Sequence, residues 1–443
     1  MELAETGKAV TPFGGLAVFA EFLQRIGWTQ VLRKHWPFRY RSPNAIAPEQ
    51  TLTVFLCAVL VGARRFAHAA MLRADRALHA MLGLKRCPGD DAIRAMFNRF
   101  GMGEIESLFR PLWRWMLERV PPRPDGYTLD IDSTVITRFG KQQGVVRGYN
   151  PGRKGGRSHH PVIGVLAESQ CVLHGWLRSG DTTANSGVLA FLRECFALAE
   201  QSGTRITRFR ADCGYYGQDL LHWLEERDIC YVIIARQTGR VLSHIQGITH
   251  WQRLANGDEV GEFTGTVGDW KKARRFVVLR RHKREDDPKT WLLPTPRYTY
   301  RVMVTNGTAS PAMQWEHYDQ RAQIELRLRE LKEDLNADGF ALRSFHGTEA
   351  AFLSILSLYN LLTEFQRATA QKAPLRQPGT LRSQVFVCGA VLGRKGHHQV
   401  LYFSMAWGGL ESRIPLFDAL LLWPPPIAPF LDSPIHPLQK TPP

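Results

Sequence analysis

The sequence predicts a mixed α/β sheet with flanking helices, interrupted by a β-strand insertion and preceded by a helical N-terminal unit. Three observations predict it. Apolar residues recur at helical spacing up to about residue 120. The cluster Pro121-Pro122-Arg123-Pro124-Asp125-Gly126 then breaks that texture. Beyond it, β-branched runs alternate with helical ones until a strand-rich, tryptophan-bearing stretch begins near residue 236. The expected division is a helical unit over 1–120, a sheet-bearing core over 121–370 with its insertion at about 236–306, and a C-terminal extension over 371–443.

In the first unit, Leu16 to Ile26, Pro48 to Val61, His68 to Leu82 and Gly103 to Val120 each read as a helix. Between them, Asp90 or Asp91 can cap a short helix carrying Arg94 and Arg99. That helix could be the second of a helix-turn-helix that meets DNA, or it could simply pack against its neighbours. In the core, Tyr127 to Ile136 reads as a strand. Pro161 to Glu168 and Cys171 to Leu177 are two more, joined by a turn at Ser169-Gln170. Then come a helix over Ser186 to Gln201, a strand from Arg205 to Ala211 ending at Asp212, a helix over Gly217 to Arg227 and a strand over Ile229 to Ala235. Three strands, helix, strand, helix, strand is the element order of a ribonuclease H-like sheet. The stretch 236–306 holds Trp251, Trp270 and Trp291 and two basic runs, Lys271 to Arg275 and Arg280 to Arg284, and reads as β structure with a basic face. Helix resumes from Pro311, another helix covers Glu349 to Ala368, and the chain past Leu422 is rich in proline.

Composition narrows the function. Lys and Arg number 57 against 41 Asp and Glu, a net charge of +16. Such an excess points to a polyanionic partner, nucleic acid foremost, although a basic solvated surface would read the same way. The seven cysteines form no C-x-x-C pair, which disfavours a zinc ribbon or redox dithiol and fits reduced thiols in a cytoplasm. No basic-then-apolar leader opens the chain, and the most apolar run, Leu52 to Ala63, is too short to span a bilayer. A cytoplasmic protein with no membrane role is expected.

Acidic residues carry the expected chemistry. An Asp inside an apolar strand is costly unless paired or bound to a cation. Leu129-Asp130-Ile131-Asp132 puts two on one strand face, and the residues leave open which is the working carboxylate and which supports it. Asp212 falls at the carboxyl end of a strand, where open α/β sheets place their sites, though Asp is also a common helix cap there. Tyr318, Arg321, Glu325 and Lys332 fall at i, i+3, i+7 and i+14. On one continuous helix these lie in a stripe about 60° wide. A carboxylate flanked by Arg and Lys suits a site that handles phosphate and a divalent cation; a salt-bridged solvent face would share the pattern. Carboxylate oxygens suit Mg²⁺, and two such ions can neutralise the attacking and leaving oxygens of a phosphodiester.

On these residues the chain resembles the DDE transposases of bacterial insertion sequences, in the subgroup whose signature is Tyr, two residues, Arg, three residues, Glu, six residues, Lys. The signature stands here as Tyr318, Arg321, Glu325 and Lys332. The stretches Gly148 to Pro161 and Gly180 to Asn185 add to the likeness, which covers about residues 85–400; Asp181 departs from the Asn more usual there. The resemblance implies a ribonuclease H-like catalytic core in which Asp132, Asp212 and Glu325 are the catalytic acids. They would hold two Mg²⁺ ions, with Mn²⁺ as a substitute, and Asp130 would stand behind them. It implies endonuclease cleavage at the element ends and joining of the freed 3′ hydroxyl to target DNA. The agent would be a homodimer on double-stranded terminal inverted repeats, in a bacterial cytoplasm near the nucleoid. Tyr318, Arg321 and Lys332 would contact DNA, and an aromatic of the insertion would stack on a flipped base; Trp291 is one candidate, although it reads more readily as a core tryptophan.

Between Ser133 and Ala167 stand Arg138, Lys141, Arg147, Arg153, Lys154 and Arg157, with no Asp or Glu. One-signed and glycine-rich, this loop can follow a phosphate backbone, and Arg153, Lys154 and Arg157 are candidate DNA contacts. His159 and His160 suit backbone or phosphate contacts better than metal ligation. Other readings are a nuclease of the same fold that cuts without joining, a domesticated or inactive copy that only binds DNA, and a basic phosphohydrolase of small esters.

Overall fold

The computed structural model describes residues 1–268, 270–282, 298–369 and 375–424. Trp291, the end of the second basic run at Lys283 and Arg284, and the proline-rich tail lie outside the described residues. The chain forms two compact units: one gathers Met1–Met116, Thr137–Val145 and Leu328–Pro443, the other Leu117–Ile136 and Val146–Arg327.

The second unit is built on a nine-stranded sheet. Its strands are β1 (Tyr127–Ser133), β2 (Val162–Leu166), β3 (Cys171–Trp176), β4 (Ile206–Ala211), β5 (Cys230–Ile234), β6 (Gln252–Arg253), β7 (Glu259–Gly265), β8 (Arg274–His282) and β9 (Tyr298–Thr305), in the order β6-β7-β8-β9-β5-β4-β1-β2-β3. The β1–β4 and β4–β5 pairs are parallel, and the remaining neighbours are antiparallel. The core strands appear where alternation and β-branching place them. The β2–β3 hairpin turns at Gln170, whose φ is 57°. The helices α1 (Val188–Gln201) and α2 (Gln218–Glu225) link β3 to β4 and β4 to β5. The β insertion does not form a body of its own: after helix α3 (Gly239–Gln246) its strands extend the same sheet, because β9 pairs with β5 at Val304↔Ile233. Val232, Val277, Met303 and Trp315 share one buried cluster across that join.

The first unit is mainly helical. Helices cover Leu16–Arg25, Trp28–His35, Pro48–Leu60, Asp90–Phe97, Met102–Leu117 and Phe345–Thr369. Phe55 lies against Phe97 and Phe340, each at 5.0 Å between ring centres. The single helix expected over His68 to Leu82 is three short pieces. The second ends at Arg73, and Asp75 caps the third, accepting from Leu78 N at 2.8 Å. Sequence reasoning missed the helix at Trp28 and a C-terminal hairpin, Ala390–Lys395 with His398–Phe403, whose first strand pairs with Ala9–Thr11. Among the described residues no helix is long and apolar enough to cross a membrane.

Candidate active site

The site lies in the sheet-bearing unit, at the carboxyl ends of β1 and β4. Their parallel register aligns Asp130 with Arg210. Two residues beyond that pair, Asp132 is the penultimate residue of β1 and Asp212 directly follows the end of β4. Asp130 and Arg210 are each 1% exposed. Arg210 donates from Nε to Asp130 Oδ1 at 2.7 Å and from Nη2 to Oδ2 at 2.8 Å. Its Nη1 donates to the His317 carbonyl at 2.5 Å, on helix α4 (Pro311–Asp319). Burial pushes the Asp130 pKa up, against the pull of Arg210. Only a two-pronged pairing of this kind makes two buried charges tolerable.

Asp132 is less enclosed. Its Oδ1 accepts from Ser133 N at 2.8 Å, and its Oδ2 lies 3.2 Å from Arg321 Nη2. Burial pushes its pKa up to about 6; Arg321 opposes the rise, while the charges of Asp212 and Glu325 add to it. Asp132 therefore feels the charges of both other carboxylates. Asp212 Oδ1 accepts from Gly214 N at 2.9 Å in a tight turn. A Cβ on Gly214 would stand 2.8 Å from Ala184 Cβ, so the turn needs the glycine. Glu325, on helix α5 (Ala322–Arg329), is 70% exposed at its side chain and approaches Arg321 Nη1 at 3.8 Å. Among the described residues no three His, Cys, Asp or Glu side chains form a ready metal-holding cluster; the cation among the carboxylates is Arg321.

Arg321 is 4% exposed and also donates to the Ile131 carbonyl at 3.1 Å. Burial works against its charge, yet Asp132, Tyr318 and Asp212 outweigh it and leave the guanidinium pKa above the usual value. Its placement depends on a break in the chain. The continuous helix expected from Tyr318 to Lys332 is three segments: α4 ends at Asp319, α5 begins at Ala322, and a wider π turn follows over Glu330–Asp334. The break turns Arg321 inward, with its N–H bonded to the Tyr318 carbonyl at 2.8 Å. Tyr318 is buried edge-on against Trp315. Lys332 sits half-buried in the π turn and belongs to the helical unit.

Beside Asp132, Ser133 Oγ lies 3.0 Å from His160 Nε2, and His160 Nδ1 lies 2.6 Å from the Thr182 carbonyl. A carbonyl can only accept, so Nδ1 carries the proton and Nε2 accepts from the serine hydroxyl. Burial lowers the His160 pKa. His160 is thus a backbone contact, as expected. Sequence reasoning did not anticipate its partner Ser133. Burial raises the pKa of the Tyr215 hydroxyl, and the Asp132 charge raises it further.

The basic loop begins to order where its short strands Val146–Arg147 and Arg157–His159 pair. A Cβ on Gly180 would fall 2.0 Å from Ser158 O, so the loop packs backbone to backbone on that turn. Arg147, Arg153, Lys154 and Arg157 are exposed. Arg138 is buried in the helical unit and donates to the Asp338 carbonyl, so it does not join them. Arg210 escaped sequence reasoning. The available signal was Asp130 itself, an acid in an apolar strand that required a buried cation.

No curated protein matches the chain in sequence. Among solved structures, it is similar to the piggyBac transposase of a cryo-EM synaptic complex with hairpin DNA. That likeness has 9% identity and a TM-score of 0.47, over 86% of this chain and 82% of that one. The family model described as a transposase DDE domain, group 1, matches residues 1–412, and the chain belongs to that family of DDE transposases.

Proposed function

We propose that this transposase binds the terminal inverted repeats of its element as duplex DNA, cuts the phosphodiester at the element ends and joins the freed 3′ hydroxyl to target DNA. The observation that carries the reading is the β1–β4 register, which delivers Asp132 and Asp212 to one end of the sheet, with Glu325 close enough to raise the Asp132 pKa. Asp132 and Glu325 pair with one buried guanidinium, which also feels the charge of Asp212, so the donor set has negative charge left over and fits hard divalent cations. Asp132, Asp212 and Glu325 would hold Mg²⁺, or Mn²⁺ in its place, which supplies charge neutralisation at the attacking and leaving oxygens. Asp130 and Arg210 hold the two strands in register behind them. Arg321, already among the carboxylates with Tyr318 beneath it, meets a phosphate there. Arg153, Lys154 and Arg157 on the basic loop, and Lys332, grip the DNA backbone and position it without reading sequence. The signature residues support placement in the bacterial insertion-sequence subgroup, hence a bacterial cytoplasmic enzyme. A homodimer pairing two element ends completes the reading.

Cleavage of the element's own terminal DNA with Mg²⁺ tests it, comparing wild type with Glu325→Gln, Asp132→Asn and Asp212→Asn. Wild type should cut and join, while the variants bind and do not cut. Cutting by Glu325→Gln at the wild-type rate would remove the third acid from the site. Hydrolysis by wild type with no joined product would make the protein a nuclease of the same fold.

A further inference from the structure

We propose that Trp36–Arg41, in the helical unit, is a preformed contact for the phosphate backbone of duplex DNA; this rests on the DNA-binding reading above. From Phe22 to Pro48 the chain has no Asp or Glu but carries Arg25, Arg33, Lys34, Arg39 and Arg41. Two of these cations are answered from outside the stretch: Arg25 by Glu21 at 2.5 Å and Arg33 by Glu49 at 2.6 Å. Lys34, Arg39 and Arg41 are exposed and have no acidic partner among the described residues. Arg86 adds a fourth cation, donating to the Asn44 carbonyl just beyond.

A run of exposed cations is usually a solvated, mobile face. This one is held. The helix Trp28–His35 stops at Trp36, which is extended (φ −65°, ψ 124°) ahead of Pro37. Rings then replace regular hydrogen bonding. Trp36 lies edge-on to Phe38 at 5.5 Å, Phe38 to Phe100 at 5.3 Å and Tyr40 to Phe38 at 6.0 Å. The Arg99 guanidinium covers Phe38 at 4.3 Å and Tyr40 at 4.9 Å, and donates to the Arg39 carbonyl at 3.2 Å. Such cation–π contacts stabilise even exposed rings. The result is an alternation: Phe38 and Tyr40 are partly covered, while Arg39 and Arg41 stand in solvent. A fixed backbone that offers unanswered guanidinium groups two positions apart fits a polyanion. Each guanidinium fork matches phosphate geometry, and the ordering entropy has already been met by the rings. An anionic partner relieves the repulsion among these exposed cations more fully than dissolved salt does.

The test is binding of the full-length chain to a fluorescent random-sequence DNA duplex across a range of salt, for wild type and for Arg39→Ala/Arg41→Ala. If each arginine neutralises one phosphate, the slope of log affinity on log salt becomes shallower by about 1.8 in the double variant. Affinity at low salt should fall tenfold or more, while the melting temperature stays at the wild-type value because both side chains are exposed. Arg99→Ala should weaken binding too, by freeing the segment without removing either phosphate contact. A double variant with wild-type slope and affinity overturns the proposal. Absence of salt-dependent DNA binding by the wild-type chain overturns the DNA reading and this proposal with it.

Discussion

Asp130 and Arg210 occupy aligned positions on neighbouring parallel strands, and both oxygens of the one accept from nitrogens of the other at 2.7 and 2.8 Å. Removing one partner strands the other charge in the sheet, which typically costs about 3–5 kcal/mol. Arg210→Leu should lower the unfolding free energy by that order in urea titration, and Asp130→Leu/Arg210→Leu should recover much of it. A single variant within about 1 kcal/mol of wild type would show the pair to be dispensable.

Stability of the chelator-treated protein should depend on Asp132 with a defined sign. Its folded pKa of about 6 lies above the ordinary carboxylate value, so the folded state binds the proton more tightly than the unfolded state. Stability is then highest below the ordinary carboxylate value and falls as pH rises towards 6. The full change is about 3 kcal/mol at most. Denaturation of wild type against Asp132→Asn between pH 4 and 8 reads it. Parallel curves across that window would mean that Asp132 is not held against its charge.

The imidazole of His160 should titrate below the ordinary histidine range, since burial disfavours its charged form. Nuclear magnetic resonance of the ring would place the midpoint. Protonation forces the ring out of its acceptor role toward Ser133, so stability should decline as pH drops through and below the ordinary value. A midpoint at or above that value would contradict the enclosed, neutral ring.

Two glycines of similar appearance should respond differently to alanine. At Gly180 the new Cβ would meet Ser158 O at 2.0 Å and Val146 O at 2.7 Å, both backbone atoms. Gly155 has φ +72° and nothing within 4 Å. Gly155→Ala should cost about 1–2 kcal/mol, the strain of a left-handed residue. Gly180→Ala should cost more and open the loop to proteolysis, because neither neighbour can yield without moving the chain. Equal melting points for the two variants would disprove the close packing.

The core strands were legible because their signals are local. Tyr127 to Ser133 alternates and carries an acid with no reason to be in an apolar run, and Ile206 to Ala211 ends at an Asp-x-Gly turn. The break at Gln320 and Arg321 was not legible. An i, i+3, i+7 pattern has the same spacing whether the helix is whole or broken, and the Ile131 carbonyl that Arg321 meets at the break lies 190 residues away in sequence. Arg210 was hidden for a related reason. Its role exists only in the register between two strands separated by 80 residues of chain. The hairpin Ala390–Lys395/His398–Phe403 was missed because its partner strand lies at the opposite end of the sequence.

The pairing of β9 with β5 makes the insertion a closed detour. After β5 the chain passes through α3, runs along the far edge of the same sheet as β6, β7 and β8, and returns beside β5 as β9 before entering α4. The loops between its strands can lengthen or shorten without changing where α4 starts, whereas Val260, Val277 and Leu279 on the strands themselves share the buried cluster of Trp315 and Tyr318 on α4. The count of residues from Asp212 to Glu325 is therefore set partly by loop length, while the strand positions under α4 are fixed by packing. A sister protein with a much shorter or longer gap would keep the same site, provided that the two strands still met edge to edge.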